Sequence, residues 1–394
     1  MIKNRFLVIL LSVIMAMPSM AQKDQFNPVY TGVTSLSIAP DARGGGLGDV
    51  GVATEPDVNS QYWNPAKYPF NIARAGVSMS YTPWLRKLVN DIDLVNVAGF
   101  YRIGDYSAIS ASLTYFSLGE VFVNDDITIK PYEMAVDIAY SRMLSENFSA
   151  AIALRYIRSD LKYDYEEDMS PGSAYAADIA LYYNKYLMLG SRECLLGLGM
   201  NISNIGTKIS YDGGSTNEFL PTNLRLGASL LIPIDEYNTI SVSADLNKLL
   251  VPTRPTYNQF LKEMNYKEGD NSYYSEYQAW LEGTGYNDIS PISGIFKSFN
   301  DAPGGFSEEL KEIYGGIGVE YCYNQKFTLR GGYHYENEFK GNRKYYTLGA
   351  GFKMSVFSLD AAYLISAAQS NPLDQTLRFS LSFDMDGLKD LFRR

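Results

Sequence analysis

Residues 106–117 read YSAISASLTYFS, and their alternation decides the fold. Ile109, Ala111, Leu113 and Tyr115 fall on one face, while Ala108, Ser110, Ser112 and Thr114 fall on the other. A period of two residues belongs to a strand, where successive side chains point to opposite faces. The same split recurs in QTLRFSLSFD (375–384), where Leu377, Phe379, Leu381 and Phe383 oppose Arg378, Ser380, Ser382 and Asp384. It returns in NLRLGASLL (223–231), TISVSADLN (239–247), YGGIGVEYCY (314–323) and FTLRGGYHYE (327–336). No helical stripe fits these segments.

Followed along the chain, the pattern predicts fourteen strands, at 74–82, 93–103, 106–117, 132–142, 148–158, 174–184, 194–203, 222–232, 239–248, 313–323, 326–336, 344–353, 355–365 and 375–385. A soluble β-sandwich alternates as well, but it pairs a large apolar face with a charged one. Here the uncharged apolar row opposes Gly, Ser, Asn and isolated charges, which puts lipid outside and water or a polar plug inside. The predicted fold is therefore all-β: a transmembrane antiparallel barrel whose closure pairs every lipid-facing backbone N–H and C=O. With 32 Tyr and 33 Gly against 3 Trp and 1 His, the composition suits strands that end in a membrane interface.

The connections are a second test. After even-numbered strands they are short: Gly104-Asp105, LSEN at 144–147, Asn324-Gln325, and about one residue near 354. After odd-numbered strands they are long and polar, at 118–131, 159–173, 204–221 and 249–312. Short periplasmic turns and long external loops are the usual barrel asymmetry. The parity puts both chain ends in the periplasm, with the stretch at 184–193 as an exception of about ten residues on the turn side.

The first residues indicate export. Lys3 and Arg5 precede an apolar run from Phe6 to Met17, and Ser19-Met20-Ala21 supplies small residues for cleavage, so residues 1–21 read as a signal peptide and the mature chain begins near Gln22. The run is shorter than the roughly 20 residues of a spanning helix. The net charge of −10, about −12 without Lys3 and Arg5, excludes nucleic-acid binding through phosphate neutralisation. Cys194 and Cys322 are too few for a disulfide framework and read as two buried free thiols. Residues 22–73 form an N-terminal plug-like segment, 74–394 the barrel, and 249–312 its large extracellular loop.

The strand registers aim Asp137, Arg155, Asp178, Arg225, Asp245, Glu320, Arg330, His334, Asp360 and Arg378 into the lumen. Opposite charges on neighbouring strands would stabilise a filled interior, with an ion pathway as the alternative. A lone His334 and no recognisable nucleophile assemble neither a triad nor a zinc site, so no enzyme and no cofactor or metal is expected. The loops carry the candidate binding residues. At 159–173, Asp164, Glu166, Glu167 and Asp168 lie beside Tyr163 and Tyr165, reading either as a solvated loop or as a contact for a cation or a basic partner. In 249–312, the stretches at 257–266, 273–283 and 306–314 read as short helices, and Tyr273, Tyr274, Tyr277 and Trp280 offer either a surface for gripping protein or an internal lid.

Gly46-Leu47-Gly48-Asp49-Val50-Gly51 matches G-x-G-x-x-G, the dinucleotide fingerprint, but not its context. Glu55-Pro56 interrupts any following helix, and Asn71 stands where an acidic residue is needed. The wider stretch GGGLGDVGVATEPDVNSQYWNPAKY (44–68) resembles instead the N-terminal region of FadL-type outer-membrane proteins. There Asp-x-x-Ser-x-x-x-Asn-Pro-Ala precedes the first strand, and here Asp57, Ser60, Asn64, Pro65 and Ala66 carry it. Together with DLNKLLVPTRP (245–255) and the GGIGVEYCY…LRGGYHYE strands, the whole mature chain resembles the PorV (LptO) family of the Bacteroidetes type IX secretion system. That resemblance implies an outer-membrane shuttle that binds the C-terminal domains of secreted cargo. It implies as partners the SprA/Sov translocon, the PorU sortase with PorQ and PorZ, and outer-membrane lipid, cargo being joined to anionic lipopolysaccharide. A FadL-like channel for hydrophobic small molecules is the alternative.

Overall fold

A computed structural model describes residues 26–385 except 88, 90, 125–126, 162–169, 214–216, 268–271, 355 and 368–372. The expected signal peptide, Tyr163 and Tyr165 lie outside the described residues, as do Asp164, Glu166, Glu167 and Asp168. The strands are β1 (Ala75–Pro83), β2 (Asp93–Ile103), β3 (Ser107–Ser117), β4 (Val121–Asn124), β5 (Ile127–Ile129), β6 (Tyr132–Ser145), β7 (Phe148–Asp160) and β8 (Gly172–Leu189). They continue as β9 (Arg192–Gly206), β10 (Asn223–Pro233), β11 (Asn238–Leu249), β12 (Tyr314–Tyr323), β13 (Phe327–Tyr335), β14 (Lys344–Lys353), β15 (Phe357–Ser366) and β16 (Leu377–Asp384). Fourteen of them close an antiparallel barrel in sequence order, β1 meeting β16 with Val77 opposite Phe383 and Tyr81 opposite Phe379. Among the described residues the short β4 and β5 pair only with each other, in the connection after β3.

Alternation has the expected consequence for the wall. Ile138, Ile152, Leu154, Leu246, Leu329 and Leu348 stand exposed on the outside, an apolar belt that only lipid can cover. Tyrosines edge it at both ends. On β6, Tyr132 and Tyr140 lie eight residues apart, about 27 Å along the strand and close to the ~25 Å height of an outer-membrane apolar band. At the loop end Tyr132 stacks on Tyr115, and Tyr333 meets Tyr346 at 4.9 Å.

The expected exception on the turn side disappears. β8 and β9 simply run longer than their neighbours, pairing down to Leu189 opposite Arg192 around a two-residue turn in which Gly190 adopts φ +65°. Cys194 is buried, Cys322 is half-buried, and both are free thiols.

The N-terminal segment departs from the parity reading. Phe26 to Ala39 lie at the loop end, where the Asn27 N–H donates to the Phe339 carbonyl (2.8 Å) and that of Gly32 to Phe219 (2.9 Å). From there the chain descends through the lumen to Ala75, where β1 starts at the turn end. Parity counts crossings of the wall, and a passage down the interior adds one crossing that no alternation records.

Candidate functional site

Two regions of irregular chain meet the barrel: the inserted segment, and an outer platform built mainly from 250–313. The segment starts with a 3-10 turn, Thr34–Ser37, and a short helix, Ala42–Gly46. Asp41 caps that helix, accepting from the Gly44 N–H (2.8 Å) and from Trp63 Nε1 (2.6 Å), so one carboxylate fixes both the turn and the indole. Close approach explains the glycines. A Cβ on Gly51 would come within 2.2 Å of the Trp63 ring, and Gly48, at φ +77°, lies against the Tyr333 backbone. The wall answers with Gly316, Gly318 and Gly332, whose missing side chains leave room for the backbone of Leu47 and Gly48. The G-x-G-x-x-G match is thus a packing surface.

All ten predicted lumen charges are buried. Several bond directly to the segment. Asp245 accepts from the N–H groups of Gly51 (2.7 Å) and Val52 (3.0 Å). Arg225 donates to the Tyr62 hydroxyl (2.9 Å) and carbonyl (3.2 Å) and lies over the Tyr62 ring. Asp137 accepts from Gln61, Arg378 pairs with Asp49, and His334 stacks on Tyr345 with Nδ1 at 3.3 Å from the Gly48 carbonyl. Arg43 carries the longest chain of charge: it pairs with Asp57 (2.9 Å) and Glu320 (3.0 Å), Glu320 with Arg330, and Arg330 with Asp360 (2.6 Å). Arg155 bridges Asp137 (3.4 Å) and Asp178 (3.0 Å) from within the wall. Beside Ser35, Tyr62 and Asp137 a space of about 20 Å³ remains, room for about one water.

The Asp-Ser-Asn-Pro-Ala residues pin the lower part of this segment. Asp57 takes Arg43 and the Ser60 hydroxyl (3.1 Å). Asn64 Nδ2 donates to the carbonyls of Val52 (3.0 Å) and Leu181 (2.9 Å), tying segment to segment and segment to wall, while its Oδ1 accepts from the Ala66 N–H. Pro65 opens the 3-10 turn Pro65–Phe70, and Ala66 is fully buried against Ala151, Ala180 and Tyr182. Sequence reasoning missed Lys67, a buried ammonium that donates to the Gly51 carbonyl (2.7 Å) and the Thr54 hydroxyl (3.1 Å). Its place directly after Pro-Ala was the available signal.

The platform has an apolar core of its own: Phe219, Val251, Phe260, Leu261, Tyr277, Leu281 and Tyr286. Its helices are Tyr257–Glu263, Tyr274–Gly283, Pro291–Lys297 and Phe306–Lys311. The first carries a capping box between Thr256 and Gln259. The third was not expected; Ser290 at the cap and Pro291 at the first position were its sequence signal. Of the four predicted surface aromatics, Tyr274 is exposed, Tyr273 and Trp280 are partly covered, and Tyr277 is not on the surface. Tyr277 packs against Phe260 and Trp280, and its hydroxyl donates to the Pro255 carbonyl (2.8 Å), because it sits on the core side of its helix. Acidic side chains tie the platform down: Lys248 meets Glu309 (3.0 Å) and Glu312 (2.6 Å), and Lys340 meets Glu308 (2.6 Å) and Glu312 (3.1 Å). Burial pushes the nearby Asp301 carboxyl up to about 6, opposed by the Thr253 N–H and reinforced by Glu309 and Glu312. A cavity of about 370 Å³ opens at this mouth between Val29, Trp84, Leu249, Lys340 and Arg343.

Residues 20–256, more than half of the chain, match the family described as Type IX secretion system protein PorV. The chain belongs to the PorV family. It is an outer-membrane β-barrel component of type IX secretion. No curated protein matches it. Similar solved structures include the toluene transporter TbuX of Ralstonia pickettii, 12% identical over 88% of this chain and 96% of that one, at a TM-score of 0.43. The toluene transporter TodX of Pseudomonas putida is 10% identical over 92% and 99% (TM-score 0.46), and a FadL homologue of Pseudomonas aeruginosa is 12% identical over 91% and 99% (0.43). In this PorV-family barrel the fourteen-strand closure rests on its own strand pairing.

Proposed function

We propose that this type IX component is a carrier of protein. It holds the C-terminal domains of secreted cargo on its outer face, receives them from the SprA/Sov translocon and delivers them to the PorU sortase, with PorQ and PorZ, for attachment to anionic lipopolysaccharide. Cleavage near Ala21 and passage to the outer membrane belong to the same reading. The observation that carries it is the division of labour between the two irregular regions. The lumen is occupied by chain bonded to the wall charges, while the outer face presents a folded platform with its own core. A carrier needs anchorage and a rigid surface, and no catalytic group. Tyr273, Tyr274 and Trp280 on the platform, with Tyr163 and Tyr165 of the acidic loop, are the proposed contacts. In the lumen, the inserted segment acts as a plug.

The test is to purify the protein from detergent-solubilised outer membranes and identify what accompanies it. Secreted proteins retaining their C-terminal domains support the carrier; a co-purifying hydrophobic small molecule without protein would replace it by a channel. Deleting residues 255–305 is expected to abolish cargo recovery while the barrel still migrates heat-modifiably on gels. Unchanged recovery would place the cargo surface elsewhere.

A further inference from the structure

The helices Pro291–Lys297 and Phe306–Lys311 each turn an apolar edge away from the protein. On the first, Gly294 and Ser298 face inward, Gly294 lying against Pro252 and Phe219, while Ile292, Phe296 and Phe299, at i, i+4 and i+7, are exposed. Phe296 is 73% exposed. On the second, Glu309 and Glu312 turn inward to Lys248, while Phe306, Leu310 and Ile313 repeat the same spacing outward. Six large apolar side chains share this exposure, although the platform has an interior that could have taken them.

Their position says what covers them. Lys248 stands opposite Leu224 in the β10–β11 register, in the outward row that continues down β11 as Leu246, Ala244 and Val242. The platform has therefore folded over the outer side of the wall at this point, burying Lys248 beneath Glu309 and Glu312 with Phe299 alongside. Ile313 precedes Tyr314, whose side chain points inward, so Ile313 belongs to the outward row of β12, followed by Gly315, Ile317 and Val319. Leu310 and Ile313 thus lead from the helix into the outward row of the lipid-facing strand, where Ile317 follows beyond Gly315. We propose that these two helices are a membrane-interface anchor: their apolar edges enter the outer leaflet at the acyl–headgroup boundary beside β9–β12, with Lys297 at the exposed polar margin facing anionic headgroups. The occupant is lipid because the patch continues the lipid belt; a protein partner is the outcome that would displace it. The anchor would hold the platform close to the membrane surface, on one side of the barrel.

In outer membranes of intact cells, p-benzoylphenylalanine placed at 296 or 306 is expected on illumination to give lipid or lipopolysaccharide adducts, at a yield within about threefold of the same probe at the belt residue Leu246. The probe at Tyr274, exposed on the helix Tyr274–Gly283 and outside the two proposed anchor helices, should give few. Discrete protein adducts at 296 and 306 would overturn the proposal in favour of a docking surface, and yields no higher than at Tyr274 would overturn it in favour of solvent. A purified chain separates the cases without any partner. In vesicles of phosphatidylethanolamine and phosphatidylglycerol, a bimane on Phe296→Cys, with Cys194→Ser and Cys322→Ser, should be quenched by brominated acyl chains as strongly as one on Leu246→Cys. Absence of quenching there would sink the anchor.

Discussion

The inserted segment and the outer platform are both irregular chain held against one barrel, by opposite means. Around the segment, Arg43, Asp49, Gly51 and Tyr62 find partners on β10, β11, β12 and β16, and these contacts with the wall join residues 163 to 329 positions apart. The platform instead packs Phe260, Tyr277 and Leu281 on one another within a few turns of chain. An ion network enclosed by a wall exists only once the wall has closed. A local apolar core can open and close by itself. The difference suits the proposed carrier, in which a fixed lumen segment and an outer platform have separate tasks.

The largest expected effect falls on the segment. Arg43→Ala leaves Asp57 without its ion pair and Glu320 with Arg330 alone, and removing one partner from a buried charge network costs about 3–5 kcal/mol. The barrel should still migrate heat-modifiably, but planar-bilayer conductance should rise as the segment loosens. An unchanged conductance together with an unchanged melting temperature would show that the network does not hold the segment in place. Next is Phe260→Ala in the platform, which empties a buried aromatic site at a cost of about 3 kcal/mol. Here added protease should cut within 250–312 on intact cells while conductance stays at the parent level. If both variants changed both readouts, the two regions would be one cooperative unit and the contrast would fail. Asn64→Ala removes donors to the Val52 and Leu181 carbonyls and should cost about 2 kcal/mol, seen as a smaller rise in conductance than for Arg43→Ala.

The same contrast explains what could be read from the chain. Strands such as Ser107–Ser117 announce themselves because lipid demands one uniformly apolar face, and parity alone aims Asp245 or Glu320 inward. What those charges bind is invisible at that level, since Gly51 and Asp245 are 194 positions apart. The glycines of 44–51 become intelligible only beside Gly316, Gly318 and Gly332 of the facing wall. Nor could alternation reveal that the segment begins at the loop end, because a descent through the lumen has no periodicity. In the platform, Tyr277 looked like Tyr274 in sequence, and only the rotation of their shared helix puts one in the core and the other in solvent.

The smallest effect is electrostatic and belongs to the platform alone. The Asp301 carboxyl titrates at about 6 in the folded chain, above the usual carboxylate range, because burial and the neighbouring Glu309 and Glu312 disfavour its charge. A raised folded-state value means that the folded platform holds this proton more tightly than unfolded chain does. Its contribution is therefore fully present below about pH 4 and is lost as pH rises through about 6. Thermal melts of Trp280 fluorescence, with a Trp280→Phe chain as background, should show a higher transition at pH 5 than at pH 7. Asp301→Asn should flatten that difference, since the amide cannot ionise, while conductance through the lumen should not follow pH in this window. A slope that survives Asp301→Asn would assign the titration to other groups, and a conductance that tracks it would couple the platform to the segment after all.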